Sequence, residues 1–190
     1  MLSAPLPNQR RVVSTIDDEG RSCLASDDRT LAELTTDARP GYRSVNVWRT
    51  IGAPAPISAP DTAEMHVGVQ PPERGTVLRV IDFPPRPADP EERRRQAAAS
   101  LQEIFSDARH DRDHRQSGMH TTRSVDYAIV LSGTITAIMD VGETDLHAGD
   151  ILIQRGTSHA WENRTGSMTR VAFVLIDGRW DDEVADRNRS

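Results

Sequence analysis

The sequence predicts an all-β protein, a closed antiparallel barrel with extra strands at its N-terminal side and one helix ahead of the barrel's second half. Three observations carry this. Residues 120–176 fall into short apolar, β-branched runs, Val125–Leu131, Ile135–Met139 and Val171–Ile176 among them, separated by Gly133, Gly142, Gly149, Gly156 and Gly166 at turn positions. Two earlier segments, 44–50 and 75–83, also read as strands, and a helix start with all its parts occurs at Asp89-Pro90-Glu91-Glu92.

Taken in order, residues 1–10 hold Pro5 and Pro7, show no periodicity, and are expected to form a loose arm of the kind that packs on a second subunit. Arg11–Ile16 is a strand, Asp17–Gly20 its turn, and Ser22–Ser26 its return, with Cys23 a small buried residue of that strand. Residues 27–42 are polar and end in Arg39-Pro40-Gly41, so a loop is expected, with one helical turn over Thr30–Leu34. In 44–50 the alternation puts Val45, Val47 and Arg49 on one face and Asn46, Trp48 and Thr50 on the other. Trp48 then either walls a ligand pocket or packs in the core or a subunit interface.

The prolines between Gly52 and Pro72 make that stretch a long surface loop, which contains His66. Residues 75–83 form a strand stopped by Pro84-Pro85, with Arg79, Ile81 and Phe83 on one face. Arg79 could hold a substrate carboxylate; an outward Arg or a structural ion pair is the alternative. Asp89 caps a helix with Pro90 at its first position and acids in its first turn, running to about Ser106. Its apolar stripe, Ala97, Ala98, Leu101, Ile104 and Phe105, packs it on the barrel's outer wall or folds it over the mouth as a lid, the wall being the expectation. His110 and His114 lie four apart in a charged stretch that reads as a solvated loop, with a reserve metal site as the alternative.

On the strand around 125–131, Asp126, Ala128 and Val130 share the cavity face while Tyr127 points away; His159, Trp161 and Asn163 share a face of a later strand. Residues 179–190 are a charged tail. One domain over 11–178 follows, with its barrel core at 75–178.

Composition narrows the function. The net charge of −6 argues against a nucleic-acid partner. All 23 basic residues are Arg, so Schiff-base and phosphate-loop lysine chemistry is excluded. No apolar run reaches the roughly 20 residues needed to span a bilayer, no signal peptide is read at the N-terminus, and a single cysteine forms no internal disulfide; no membrane partner and a cytoplasmic location are expected.

Two segments, 118–133 and 149–163, carry a resemblance to the cupin superfamily, and to its small single-domain members. The first family motif pairs two histidines with a Glu and a Gly: His120 stands for the first histidine, Asp126 for the Glu, and Gly133 follows six residues later. In the second, Gly149, Gly156, His159 and Asn163 match, with Gln154 where proline is usual. Thr122 occupies the second histidine's position. The resemblance implies a double-stranded β-helix, or jelly-roll barrel, and a divalent metal on His120, Asp126 and His159, with iron(II) first and zinc, manganese or nickel as alternatives.

Two imidazoles and a carboxylate leave coordination positions open for dioxygen or substrate. The expected function is a metal-dependent oxidoreductase of dioxygenase type acting on a small apolar, aromatic or polyketide-like molecule, walled by Trp48, Phe83, Trp161 and Thr122. A redox-neutral lyase, decarboxylase or dehydratase, or a non-catalytic binding module are the alternatives. Arg79, Tyr127 and Gln154 are the weaker catalytic candidates. A homodimer through the N-terminal strands would cover the barrel's open edges.

Overall fold

A computed structural model describes residues 4–29, 31–110 and 118–181. Strands β1 (Arg11–Ile16) and β2 (Ser22–Asp28) form a hairpin that stands as its own two-stranded sheet. There follow β3 (Glu33–Thr35), β4 (Arg43–Thr50), β5 (Thr76–Phe83), α1 (Pro90–Glu103), β6 (Arg109–His110), β7 (His120–Thr121) and β8 (Ser124–Ser132). The chain continues with β9 (Thr134–Met139), β10 (Glu143–His147), β11 (Ile151–Arg155), β12 (His159–Glu162) and β13 (Thr169–Asp177).

Two antiparallel sheets make the barrel, ordered β10-β9-β12-β7-β6 and β11-β8-β13-β5-β4-β3. Consecutive strands β8 and β9 lie in different sheets, so the chain must turn a corner at Gly133. That residue has φ +77°, and a Cβ there would meet Thr169 Oγ1 at 2.6 Å, so only glycine fits. Alternation along the strands then decides what faces inward. Ile81, Phe83, Ala128, Val130, Val171, Phe173 and Leu175 from one sheet meet Ile135 from the other in the buried core.

On β5, Asp82 points the other way, is buried, and receives bonds from Arg43 on β4 and Arg170 on β13 at 2.6–3.0 Å. The same two guanidinium groups donate to the carbonyls of Leu6 and Pro7. Residues 6–8 are therefore tied down and are not the loose arm the prolines suggested. Among the described residues no helix is long and apolar enough to cross a membrane.

Other expectations are corrected too. β3 replaces the helical turn expected over 30–34, of which Thr30 lies outside the described residues; Glu33–Thr35 pairs with Arg43–Val45 as an edge strand. Cys23 is exposed, because the hairpin has no sheet packed behind it. Helix α1 begins as expected, with the Asp89 carboxylate accepting from the Glu91 amide at 3.1 Å and Pro90 at the first position. It ends earlier, at Glu103, and lies over the barrel mouth: Arg93, Gln96, Ala97 and Ser100 line the cavity.

Candidate metal centre and its cavity

The two histidines of the motifs meet across the sheet. His159 on β12 stands directly opposite His120 on β7, and their ring centroids are 4.5 Å apart. Residues paired across an antiparallel ladder share a face, so both rings enter the cavity. Each is fixed in the same way. His120 Nδ1 donates to the Gly118 carbonyl at 3.0 Å and His159 Nδ1 donates to the Thr157 carbonyl at 2.9 Å. A carbonyl only accepts, so Nδ1 carries the proton and Nε2 keeps its lone pair. Burial holds both rings neutral, pushing His120 down to about 3 with help from its neighbour His159, and His159 downward as well.

Aromatic rings continue the wall on either side. Phe105, just beyond α1, stacks on His120 at 4.5 Å, and Trp161 meets His159 edge-on at 6.0 Å. From Trp161 the chain of ring contacts runs to Phe173 at 5.3 Å, Phe83 at 6.3 Å and Tyr42 at 6.1 Å.

Asp126 on β8 lines the same cavity, 4% exposed. Thr122 Oγ1 donates to its Oδ2 at 3.4 Å and in turn accepts from Ser124 Oγ at 2.9 Å, while Oδ1 is buried with no hydrogen-bond partner among the described residues. Burial pushes the Asp126 carboxyl up to about 6, against the hydroxyls of Ser124 and Thr122 and the charge of Arg79. Thr122, at the position of the missing histidine, thus supports the carboxylate. Asp126 does not close on the imidazoles: among the described residues no three His, Cys, Asp or Glu side chains are grouped as a ligand set.

Of the other residues singled out in the sequence, Arg79, Phe83, Thr122 and Trp161 line the cavity and Trp48, Tyr127 and Gln154 do not. Trp48 is displaced by a bulge in the β4–β5 ladder: Asn46 pairs with inward-facing Arg79, but Trp48 pairs with Leu78, on the opposite face. Tyr127 is exposed on the outer face of β8, as its alternation with Asp126 requires. Gln154 is buried and its amide nitrogen donates to the Thr157 carbonyl and hydroxyl, so it braces the turn that orients His159. Asn163 likewise holds a turn, donating to the Phe83 and Ser167 carbonyls.

His110 pairs in register with His120 from β6, and its Nε2 bonds to the Phe105 carbonyl at 2.8 Å; His114 lies outside the described residues. The reading of residues missed Arg39, a loop residue whose guanidinium lies over the Tyr42 and Phe83 rings at 5.2 and 5.5 Å. Only the pair Arg39 and Tyr42, three apart on a turn, hinted at it.

No protein-family model matches the chain. Over 66 residues it is 42% identical to phomopsin biosynthesis cluster proteins C' and D of Diaporthe leptostromiformis, a stretch that is 34% of this chain and about a third of the length of those relatives (35%). Over 183 residues, 91% of this chain and 76% of the other, it is 28% identical to cupin-domain-containing oxidoreductase fogC of Aspergillus ruber. Among solved structures, the Cnp3 cupin domain of Schizosaccharomyces pombe is similar with a TM-score of 0.43 at 7% identity, over 96% of this chain and 94% of that one.

The two-sheet barrel, with histidines of both motifs facing each other inside it, defines a small-molecule jelly roll. Over most of its length the chain is similar to a cupin-domain-containing oxidoreductase, and its strands form the two-sheet barrel that the resemblance implies.

Proposed function

We propose that this chain is an oxidoreductase that holds a divalent metal ion on His120 and His159 beside a small apolar or aromatic molecule, with Asp126, which does not close on the imidazoles in this structure, completing the set when the ion binds. The observation that carries the reading is the matched pair of imidazoles, each pinned through Nδ1 to a backbone carbonyl and presenting an unprotonated Nε2. This is the usual tautomer and outer support of metal-binding histidines. The orphaned Asp126 Oδ1, buried against a cost of the order of 1–3 kcal/mol for a missing partner, also suits a cation. The names of three relatives, fogC, srdD and virC, each described as a cupin-domain-containing oxidoreductase, support the reaction class.

Iron(II) bound there would supply the one-electron chemistry that dioxygen requires, whereas zinc, manganese or nickel would serve as Lewis acids. The chain's own residues do the rest. Phe83, Trp161 and Phe173 take the apolar body of the substrate, and α1 with Phe105 limits water at the mouth. A redox-neutral reaction is the second reading, favoured by one observation: the Arg79 guanidinium faces into the cavity, where it can steady a carboxylate or developing enolate.

Conversion of a panel of small aromatic acids, aldehydes and alcohols by the iron-loaded protein, in air and under argon, tests the choice. Turnover that needs dioxygen and disappears in His159→Ala supports the oxidoreductase. Equal turnover under argon moves the assignment to the redox-neutral reaction, and turnover unaffected by His159→Ala contradicts the site.

The reading includes a homodimer joined through the β1–β2 hairpin, a separate sheet on which Val12, Ile16 and Leu24 are exposed. Light scattering of the protein with and without Ile16→Asp and Leu24→Asp checks it: a dimer that becomes monomeric is expected, and an unchanged mass would sink the assignment.

A further inference from the structure

The arginines of this chain mostly face carboxylates. Arg43 and Arg170 hold Asp82, Arg86 and Arg164 hold Glu162, and Arg10 and Arg11 hold aspartates of the N-terminal hairpin. Three that line the cavity do not: Arg93 is taken up by the Pro87 and Ala88 carbonyls, which leaves Arg79 and Arg39. Arg79 is 4% exposed; its Nε donates to Asn46 Oδ1 at 2.9 Å and its Nη2 to the Gly68 carbonyl at 2.7 Å, both neutral acceptors, and Nη1 has no acceptor among the described residues. The Arg39 guanidinium makes no hydrogen bond or ion pair with any described residue and lies against the Tyr42 and Phe83 rings. Burial pulls both guanidinium groups down from their usual range, against the charge of Glu162 on Arg39 and of Asp107 and Asp126 on Arg79, none of which forms an ion pair with them.

The surroundings agree. Four guanidinium groups line the cavity, Arg39, Arg79, Arg86 and Arg93, against the two carboxylates Asp126 and Glu162, and Glu162 is already engaged by Arg86 and Arg164. Phe83, under the Arg39 guanidinium, belongs to the apolar wall that continues to Phe173 and Trp161. A planar anion carried on a flat apolar body matches both halves of this wall: the anion takes the free N–H groups and the body lies along the rings.

We propose that Arg39 and Arg79 form an anion subsite of the cavity, and that the molecule this protein takes bears a carboxylate on an aromatic or unsaturated skeleton. The proposal deepens the reading of the cavity as a substrate site but does not require the metal. The carboxylate lies between the two guanidinium groups, with Arg79 preset by Asn46 and Gly68 and Arg39 by the aromatic faces. Arg39 is the gentler position to change, since its side chain holds no other described part of the protein by a hydrogen bond.

Isothermal titration of cinnamate and benzoate, and of the neutral cinnamamide and benzamide, against the full chain tests this. The titrations are made on chelator-treated protein and on protein loaded with zinc, for wild type, Arg39→Gln and Arg79→Gln. The acids are expected to bind at least tenfold more tightly than their amides in the chelated wild type, and each variant is expected to lose that preference while its amide binding stays within a few fold. Should Arg79→Gln fail to fold, Arg39→Gln decides. Acids that bind chelated wild type no better than amides, absence of any binding included, would overturn the subsite, as would a preference that survives in Arg39→Gln. A preference present without metal upholds the subsite even if the metal reading fails. One that appears only with zinc assigns the anion to the metal and removes the arginines from the role.

Discussion

His120 and His159 each donate from Nδ1 to the backbone carbonyl of the residue two positions earlier, Gly118 and Thr157, and their rings lie 4.5 Å apart. Two strands from different parts of the chain thus present imidazoles held in the same way to one cavity. The Thr157 carbonyl is itself braced by Gln154. Gln154→Ala is expected to weaken divalent-metal affinity about 10-fold with the fold retained, since supporting residues of metal ligands typically carry 10- to 100-fold effects. Competition with a chromophoric chelator measures it; an unchanged affinity would remove Gln154 from that role.

Asp126 gives a stability prediction whose sign depends on the metal. Its folded carboxyl titrates at about 6 against an ordinary 3.8, so the unfolded chain releases this proton more readily. Folding stability therefore falls as pH rises from about 4 through 6, and Asp126→Asn removes that loss. In metal-free protein the variant is expected to be more stable at pH 7.5, by on the order of 2 kcal/mol, with the difference vanishing near pH 4. In metal-loaded protein the variant is expected to be the less stable. Urea unfolding of both forms at the two pH values reads this directly.

The histidines act in the opposite direction. His120 is depressed to about 3, His66 to about 4 and His159 also downward, each chiefly by burial. A depressed folded value means the unfolded chain takes up protons first as pH falls below 6.5. Their stabilisation is complete above pH 6.5 and is lost as pH drops toward the folded values. Three such groups outweigh the single opposing carboxyl, so the melting temperature of metal-free protein is expected to fall between pH 7 and pH 5. His120→Gln should flatten that slope, and a parallel curve for the variant would contradict the assignment.

Gly68 links the backbone to the cavity. It adopts φ +83°, its carbonyl accepts from Arg79, and a Cβ would lie 2.3 Å from an Asp107 carboxylate oxygen. That carboxylate cannot swing aside freely, because it accepts the amides of Val69 and Gln70 at 2.8–3.0 Å. Gly68→Ala is expected to cost roughly 1–3 kcal/mol in urea unfolding. A change below about 0.5 kcal/mol, the usual effect of a surface substitution, would show that the turn relaxes.

The strands and inward faces around the site were legible because local periodicity dictates them: Arg79, Ile81 and Phe83 on β5, Asp126 against Tyr127 on β8, and His159 with Trp161 on β12 all follow from alternation. The start of α1 was equally local, since Asp89 and Pro90 carry it between them. What stayed hidden depends on distant partners. A bulge in the β4–β5 ladder turns Trp48 outward, and one extra residue has no signature in the sequence. Arg39 is partly buried and lies over the ring of Phe83, 44 positions away, so a polar loop concealed a cavity residue. The course of α1 over the mouth depends on how Ala97 and Ser100 meet the barrel, which its stripe alone could not distinguish from packing on the wall.

A metal ion held by His120 and His159 is open to direct measurement. Elemental analysis of the untagged protein, purified without added metal and compared with His120→Ala and His159→Ala, tests it most directly. Near one equivalent of a divalent transition metal in the wild type, lost in both variants that still melt cooperatively, is the predicted result. Wild-type protein that carries no metal and retains none after incubation with iron(II), manganese(II), nickel(II) or zinc(II) would contradict it, and would leave the paired imidazoles as hydrogen-bonding walls of a ligand cavity.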